Sequence, residues 1–120
     1  MSENRLHDFL SHMLDAAQLA CSYVDNMEKN DFFEDIRTQQ AVIMNLIIIG
    51  EAATKIMELD SLFMAKHVEI PWRNMRGMRN RIAHGYFDIN LDVVWETVRT
   101  ALPELIAHLP AAQLDTLNRL

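Results

Sequence analysis

The sequence predicts an all-α bundle, and three observations carry that prediction. Apolar residues Leu6, Phe9, Leu10, Met13, Ala17, Ala20 and Val24, and later Leu91, Val94, Trp95, Val98, Leu102, Leu105, Ile106 and Leu109, recur at three- and four-residue intervals. The middle segment Ala41–Ile49 is apolar nearly all round, as a helix covered on several sides would be. No stretch alternates with the period of a strand, and neither internal repeats nor low-complexity segments occur. With 120 residues, 50% hydrophobic and 23% charged, the chain fits one domain with a real core and leaves no room for a second. Residues 1–120 are therefore read as a single unit, with a core over about 3–109 and a C-terminal tail over 110–120.

Each element follows from local chemistry. The first apolar series predicts a helix from about Glu3 to Met27. Asp31 and Glu34 have the spacing of a capping box, and Phe32, Phe33 and Ile36 give a short helical turn. Thr38 is the expected cap of the central helix, which runs to Leu59 and has part of its cover available for another subunit. Pro71 suits a helix start, so Trp72–Ala83 reads as a short helix, with Gly85 placed to stop it. After the turn Tyr86–Asn90 the last long helix begins. Pro103 should kink or split it near Arg99, whose carbonyl loses its donor, and Pro110 should separate Leu114, Leu117 and Leu120 as a final amphipathic turn.

Composition removes several functions. The three glycines, Gly50, Gly77 and Gly85, are too scattered for a phosphate-binding loop or a dinucleotide fingerprint. No serine stands in a nucleophile-elbow context. The lone Cys21 excludes an internal disulfide and a Cys-rich zinc site, and with no basic-then-apolar leader it suits a reducing cytoplasm. The nine-residue apolar run is far short of the ~20 residues a membrane span needs, so no membrane association is expected. A net charge of −6 argues against nucleic-acid binding by bulk charge. Its distribution argues otherwise: Arg73, Arg76, Arg79 and Arg81 stand together, and no acid lies between Glu69 and Asp88. A local cationic site on an acidic body holds phosphate selectively.

Of the five histidines, His7 and His12 point about 140° apart on a helix and cannot share a metal. His67-Val-Glu69 resembles the opening of a zinc deaminase motif, but the Pro-Cys-x-x-Cys that must follow is missing. These three and His108 read as solvated surface side chains, and no metal or other cofactor is implied. His84 differs, because it follows Arg79-Asn80-Arg81. Imidazole titrates near pH 6.5 and guanidinium grips phosphate in a planar fork, a minimal kit for cleaving RNA through its own 2′-hydroxyl. Arg79 and His84 are also about 140° apart on an ideal helix, so one chain splays them unless the helix ends before His84; one remedy is a two-fold dimer that brings one chain's arginine to the other's histidine. Asn80 shares the face of His84 and can orient its ring. The plainer reading is a capping histidine beside a surface arginine cluster, and spacing alone favours it. Tyr86 is either a ring packed over the helix end or a phenol exposed beside the cationic patch. Trp72 and Trp95 read as core anchors. Glu51 is either a solvated side chain or a buried carboxylate paired with an arginine of the 73–81 cluster.

Read together, Phe33–Asp35, Gln40-Ala41-Val42, Ile49-Gly50-Glu51-Ala52, Ile70-Pro71-Trp72, Gly77-Met78-Arg79-Asn80, Ala83-His84-Gly85-Tyr86 and Val94-Trp95-Glu96 resemble the HepT family of HEPN-domain toxins. The resemblance runs from about Leu6 to Leu105, and its most diagnostic piece is Arg-x4-His-x-Tyr, met by Arg79, His84 and Tyr86. It implies a homodimeric four- or five-helix up-and-down bundle that cleaves RNA without metal at the dimer cleft. Arg79 and His84 would be catalytic, with Asn80, Arg76 and Glu51 in support. It also implies a cognate MntA-like nucleotidyltransferase antitoxin that adenylylates Tyr86. The reading from a different class is a non-catalytic HEPN module that binds a nucleotide or the nucleotidyltransferase through the same cleft.

Overall fold

In the computed structural model, which describes residues 2–85 and 88–118, the first apolar series forms α1, Ser2–Tyr23. Leu6, Leu10, Met13, Ala16, Ala17 and Ala20 are buried along one face, as their spacing dictates. The helix stops short of Met27, and the chain turns through Asn26 at φ 68°, a left-handed conformation that asparagine tolerates. α2, Lys29–Glu34, starts one turn earlier than the sequence suggests. Its first residue follows Glu28, whose backbone N–H donates to the Asp31 carboxylate at 2.9 Å, so Asp31 belongs to the first turn instead of preceding it.

α3, Ile36–Leu59, is capped by Asp35. That carboxylate accepts the Thr38 backbone N–H at 3.0 Å and the Thr38 hydroxyl at 2.7 Å, so Thr38 is the cap's partner and not the cap. α4, Ser61–Lys66, is too short to show a period in sequence and is set by Asp60, whose carboxylate accepts the Phe63 N–H at 3.0 Å. α5, Trp72–His84, follows Pro71 and ends at Gly85, close to the expected bounds. Trp72 and Trp95 are buried, and the Trp72 indole N–H donates to the carbonyl oxygens of Met64 and His67 at 3.2 and 3.0 Å.

α6, Leu91–Glu96, is capped by the Asn90 side chain and runs into a π-helical turn, Thr97–Ala101, and then α7, Leu102–Asn118. Pro103 does disturb this stretch near Arg99, but as a widened turn in place of the expected kink or split. The Leu102 N–H reaches back to the Thr97 carbonyl, and the extra residue absorbs the missing donor. Pro110 does not separate a final turn either: α7 passes through it to Asn118. Burial of Leu109, Ala112 and Thr116 outweighs the local cost of a proline.

α3 is the centre of the bundle, packed on α1 and on α5, and α7 packs against α1. The fold is all-α, with no strand among the described residues. Among the described residues no helix is long and apolar enough to cross a membrane. His67 corrects the expectation of a solvated ring: it is 8% exposed, with Nδ1 3.3 Å from Glu69 Oε1 and Nε2 2.9 Å from Asp115 Oδ2. His7 is half-buried, its Nδ1 2.9 Å from the Thr116 hydroxyl, while His12 and His108 are exposed as expected. The end of α7 is thus tied both to α1 and to the loop that leads into α5.

Candidate active site

α5 turns the sequence WRNMRGMRNRIAH into two chemically distinct faces. Trp72 and Ile82 are buried on the inner side, with Met75, Met78 and Arg79 partly covered. The approach of α5 to α3 depends on Gly50. A Cβ there would fall 2.3 Å from the Arg79 Cβ and 2.8 Å from the Met75 carbonyl oxygen, so a side chain cannot be added without moving α5. The arginine stem lies over this glycine, and its head reaches the next turns of α3. Nη1 donates to Glu51 Oε1, and Nη2 lies 3.4 Å from Thr54 Oγ1. The Thr54 hydroxyl in turn donates to the Gly50 carbonyl at 2.8 Å. Arg79 Nε is buried with no acceptor among the described residues.

Glu51 is therefore neither a free solvated side chain nor a fully buried one: its side chain is 49% exposed and paired with Arg79, itself 22% exposed. The pairing holds the guanidinium in place and offsets its charge. An incoming phosphate must share the fork with Glu51 or displace it. Gly50 and Thr54 were not singled out by sequence as parts of this arrangement. The available signal was a glycine in the interior of a long helix, which is costly unless another backbone approaches closely.

His84 is the last residue of α5 and exposed, and its ring makes no hydrogen bond to another described residue. Asn80, also exposed, stands one turn before it on the same face, and Arg76 one turn before that. Because the helix includes His84, the splay of about 140° from Arg79 persists, so one chain does not direct both side chains at a common point. Tyr86 lies outside the described residues. Among those described, no group of three or more His, Cys, Asp or Glu side chains is placed to hold a metal ion.

The sequence profile described as Ribonuclease HepT-like matches residues 13–112. The chain belongs to the HepT-like ribonuclease family. A "Probable ribonuclease HepT" of Thermococcus cleftensis is 39% identical over 98 residues, which are 82% of this chain and 86% of that one. A protein of Caldanaerobacter subterraneus subsp. tengcongensis, named as a candidate RNase, is 34% identical over 81% of this chain and 84% of its own. A candidate RNase of Methanocaldococcus jannaschii is 33% identical over 87% of this chain and 80% of its own. No solved structure gives a significant match.

In this HepT-like ribonuclease the α5 site borders an uncovered apolar strip. Ile36, Met44 and Ile48 are exposed along the outer face of α3, Met44 to 57%, and the strip leads to Glu51 at helical spacing.

Proposed function

We propose that this HepT-like ribonuclease is the toxin of a toxin–antitoxin pair. In this reading residues 1–120 act as one HEPN domain in the cytoplasm, a homodimer that cleaves tRNA or mRNA without metal. The observation that carries it is the pair Arg79 and His84 on one helix of a ribonuclease-family chain, the arginine fixed and the histidine open to solvent. Their splay asks for a second copy, so that Arg79 of one protomer and His84 of the other flank one phosphate. The exposed strip Ile36–Met44–Ile48 beside Glu51 offers the apolar surface for that pairing.

In the reaction the 2′-hydroxyl oxygen attacks phosphorus and the bond to the 5′-oxygen breaks, leaving a 2′,3′-cyclic phosphate and a 5′-hydroxyl. His84 takes the proton of the nucleophile or gives one to the leaving oxygen, and Arg79, with Arg76, bears the charge of the phosphorane. Asn80 orients the His84 ring, and Glu51 holds Arg79 until phosphate arrives. A cognate nucleotidyltransferase adenylylates Tyr86. The added phosphodiester brings negative charge to the arginine patch and fills the space of the RNA phosphate. The test is cleavage of RNA by purified protein in EDTA, with Arg79→Lys as the variant. Wild type should cut and the lysine variant should not, because ammonium cannot reproduce the fork. Intact mass of protein co-expressed with the neighbouring gene should show adenylyl increments that vanish in Tyr86→Phe. A requirement for divalent metal, or an unmodified but neutralised toxin, overturns the respective part.

The pairing of Arg79 with Glu51 also favours a second reading, a module that binds nucleotide without cutting. Binding of RNA with no cleavage at any enzyme concentration would select it.

A further inference from the structure

The opposite flank of α5 carries a groove that the Arg79–Glu51 contact does not use. It is a cavity of about 510 Å³ between α5, α3 and the π-helical turn, within the size range of small-molecule sites. Its floor is leucine and isoleucine, its rim carries Arg73, Asn74 and Arg81, and Gly77, Thr97 and Ala101 keep its mouth narrow in side-chain volume. No acidic residue lines it, although the chain as a whole carries −6. The neighbouring cavities at this end differ: one includes Asp88, the other Asp92, Glu96 and Glu104. Arg81 also lines the Asp88 cavity, so it stands on the wall between the groove and the helix end, and it lies one turn before His84. The Thr97 hydroxyl is already used, donating to the Val93 carbonyl at 2.7 Å, which leaves the Asn74 amide as the neutral polar group at the rim.

We propose that this groove is a nucleotide subsite: it seats one base of single-stranded RNA on the apolar floor, while Arg73 and Arg81 hold the phosphates on either side. Two cations at the rim of an apolar slot match a flat ring between two charged groups. The position places the strand so that its next phosphate runs to His84 of the same protomer. The π-helical turn gives the slot its outer wall. This rests on the ribonuclease reading for its substrate, and it adds a part of the surface that neither the Arg79–His84 pair nor the apolar strip on α3 includes.

The experiment uses a fluorescein-labelled mixed-sequence RNA decamer, with cleavage kinetics on otherwise wild-type protein and equilibrium anisotropy on a His84→Ala background. Replacing Arg73 and Arg81 together by Gln touches only exposed side chains. KM and Kd should rise about tenfold with kcat little changed, and the slope of log Kd against log salt should fall by about 1.4 for two lost phosphate contacts on a single strand. Ala101→Trp fills the slot from its exposed edge and should raise Kd by a similar factor while leaving that slope unchanged. If both variants keep Kd and KM within about twofold of the parent, the subsite is wrong even though the ribonuclease reading stands. If Ala101→Trp instead lowers the sedimenting mass of a helical, folded protein, the groove belongs to a second copy and the proposal falls. RNA that binds in the groove but is never cut keeps the subsite and sinks the ribonuclease reading.

Discussion

His67, just before α5, and His84, its last residue, share a ring and almost nothing else. His67 is buried against Phe63, ring centroids 4.5 Å apart, with a carboxylate oxygen at each nitrogen and its own carbonyl bonded to the Trp72 indole. His84 is exposed, and its ring has no hydrogen-bond partner among the described residues. Both ring nitrogens of His67 face carboxylates, so its hydrogen-bonding capacity is spent on holding the α4–α5 loop to the end of α7. A histidine that moves protons must be reachable and must keep a nitrogen free for the reacting group. The difference separates a structural imidazole from an available one.

The sharpest way to break that contrast is to remove each ring in turn. His84→Ala should lower RNA cleavage by about 10²–10⁴-fold, the usual worth of a general acid–base group, while the urea midpoint barely moves because the side chain is exposed. Cleavage assays and denaturation curves on the same preparation check it. A variant that still cuts at wild-type rate would return His84 to the role of a helix cap.

Gly50→Ala comes next in size. The new Cβ would overlap the Arg79 stem and the Met75 carbonyl, so α5 must shift or the core must strain, at about 1–3 kcal/mol. Cleavage per folded molecule should fall too, since Arg79 loses its place over α3. Thermal denaturation with parallel activity would test this. Unchanged stability would mean that α5 is not held as closely as the glycine contact requires.

Much of this contrast was legible in sequence, and the part that was not has identifiable causes. The helical period of Leu6–Val24 and Leu91–Leu109 specifies the fold class, and the acid-free arginine window marks α5 in the sequence itself. His84 stood out because its neighbours are Arg79, Asn80 and Arg81. The burial of His67 is not legible locally: Glu69 stands only two residues on, but the nearer bond goes to Asp115, 48 residues away and beyond Pro110. Local rules also misplaced Thr38 and Asp31 by one turn, since the carboxylates of Asp35 and Glu28's partner Asp31 decide those starts through tertiary-independent but competing caps. Gly50 and Thr54 required the distance between two helices, which no single segment encodes.

His67→Ala should show the reverse profile of the His84 variant. It removes a buried ring and two hydrogen bonds, but Glu69 is exposed and Asp115 partly so, and water can replace the lost donors. The cost should be about 1–2 kcal/mol, with cleavage per folded molecule retained. A loss of cleavage greater than the loss of folded protein would show that the tie to α7 also positions α5 for catalysis.

The smallest effect is the pH dependence of that tie, and it distinguishes ion pairing from packing. The hydrogen bond from His67 holds the Asp115 carboxyl below its ordinary range, and Lys66 adds to this. Glu69 is held low first by its own backbone N–H and then by His67. In the unfolded chain both carboxyls titrate near pH 4, so on acidification the unfolded state takes up protons before the folded one does. The stability they contribute is therefore complete at neutral pH, declines as the pH drops through about 4, and is gone once the folded carboxyls are protonated. Asp35, held low by the Thr38 backbone N–H and hydroxyl, loses its contribution over the same range but is untouched by a change at His67. Urea midpoints at pH 5 and 3.5 should then show wild type and His67→Ala drawing together between the two, with a residual acid sensitivity common to both. A gap that stays constant would mean that His67 stabilises the loop through its contact with Phe63 and not through its carboxylates.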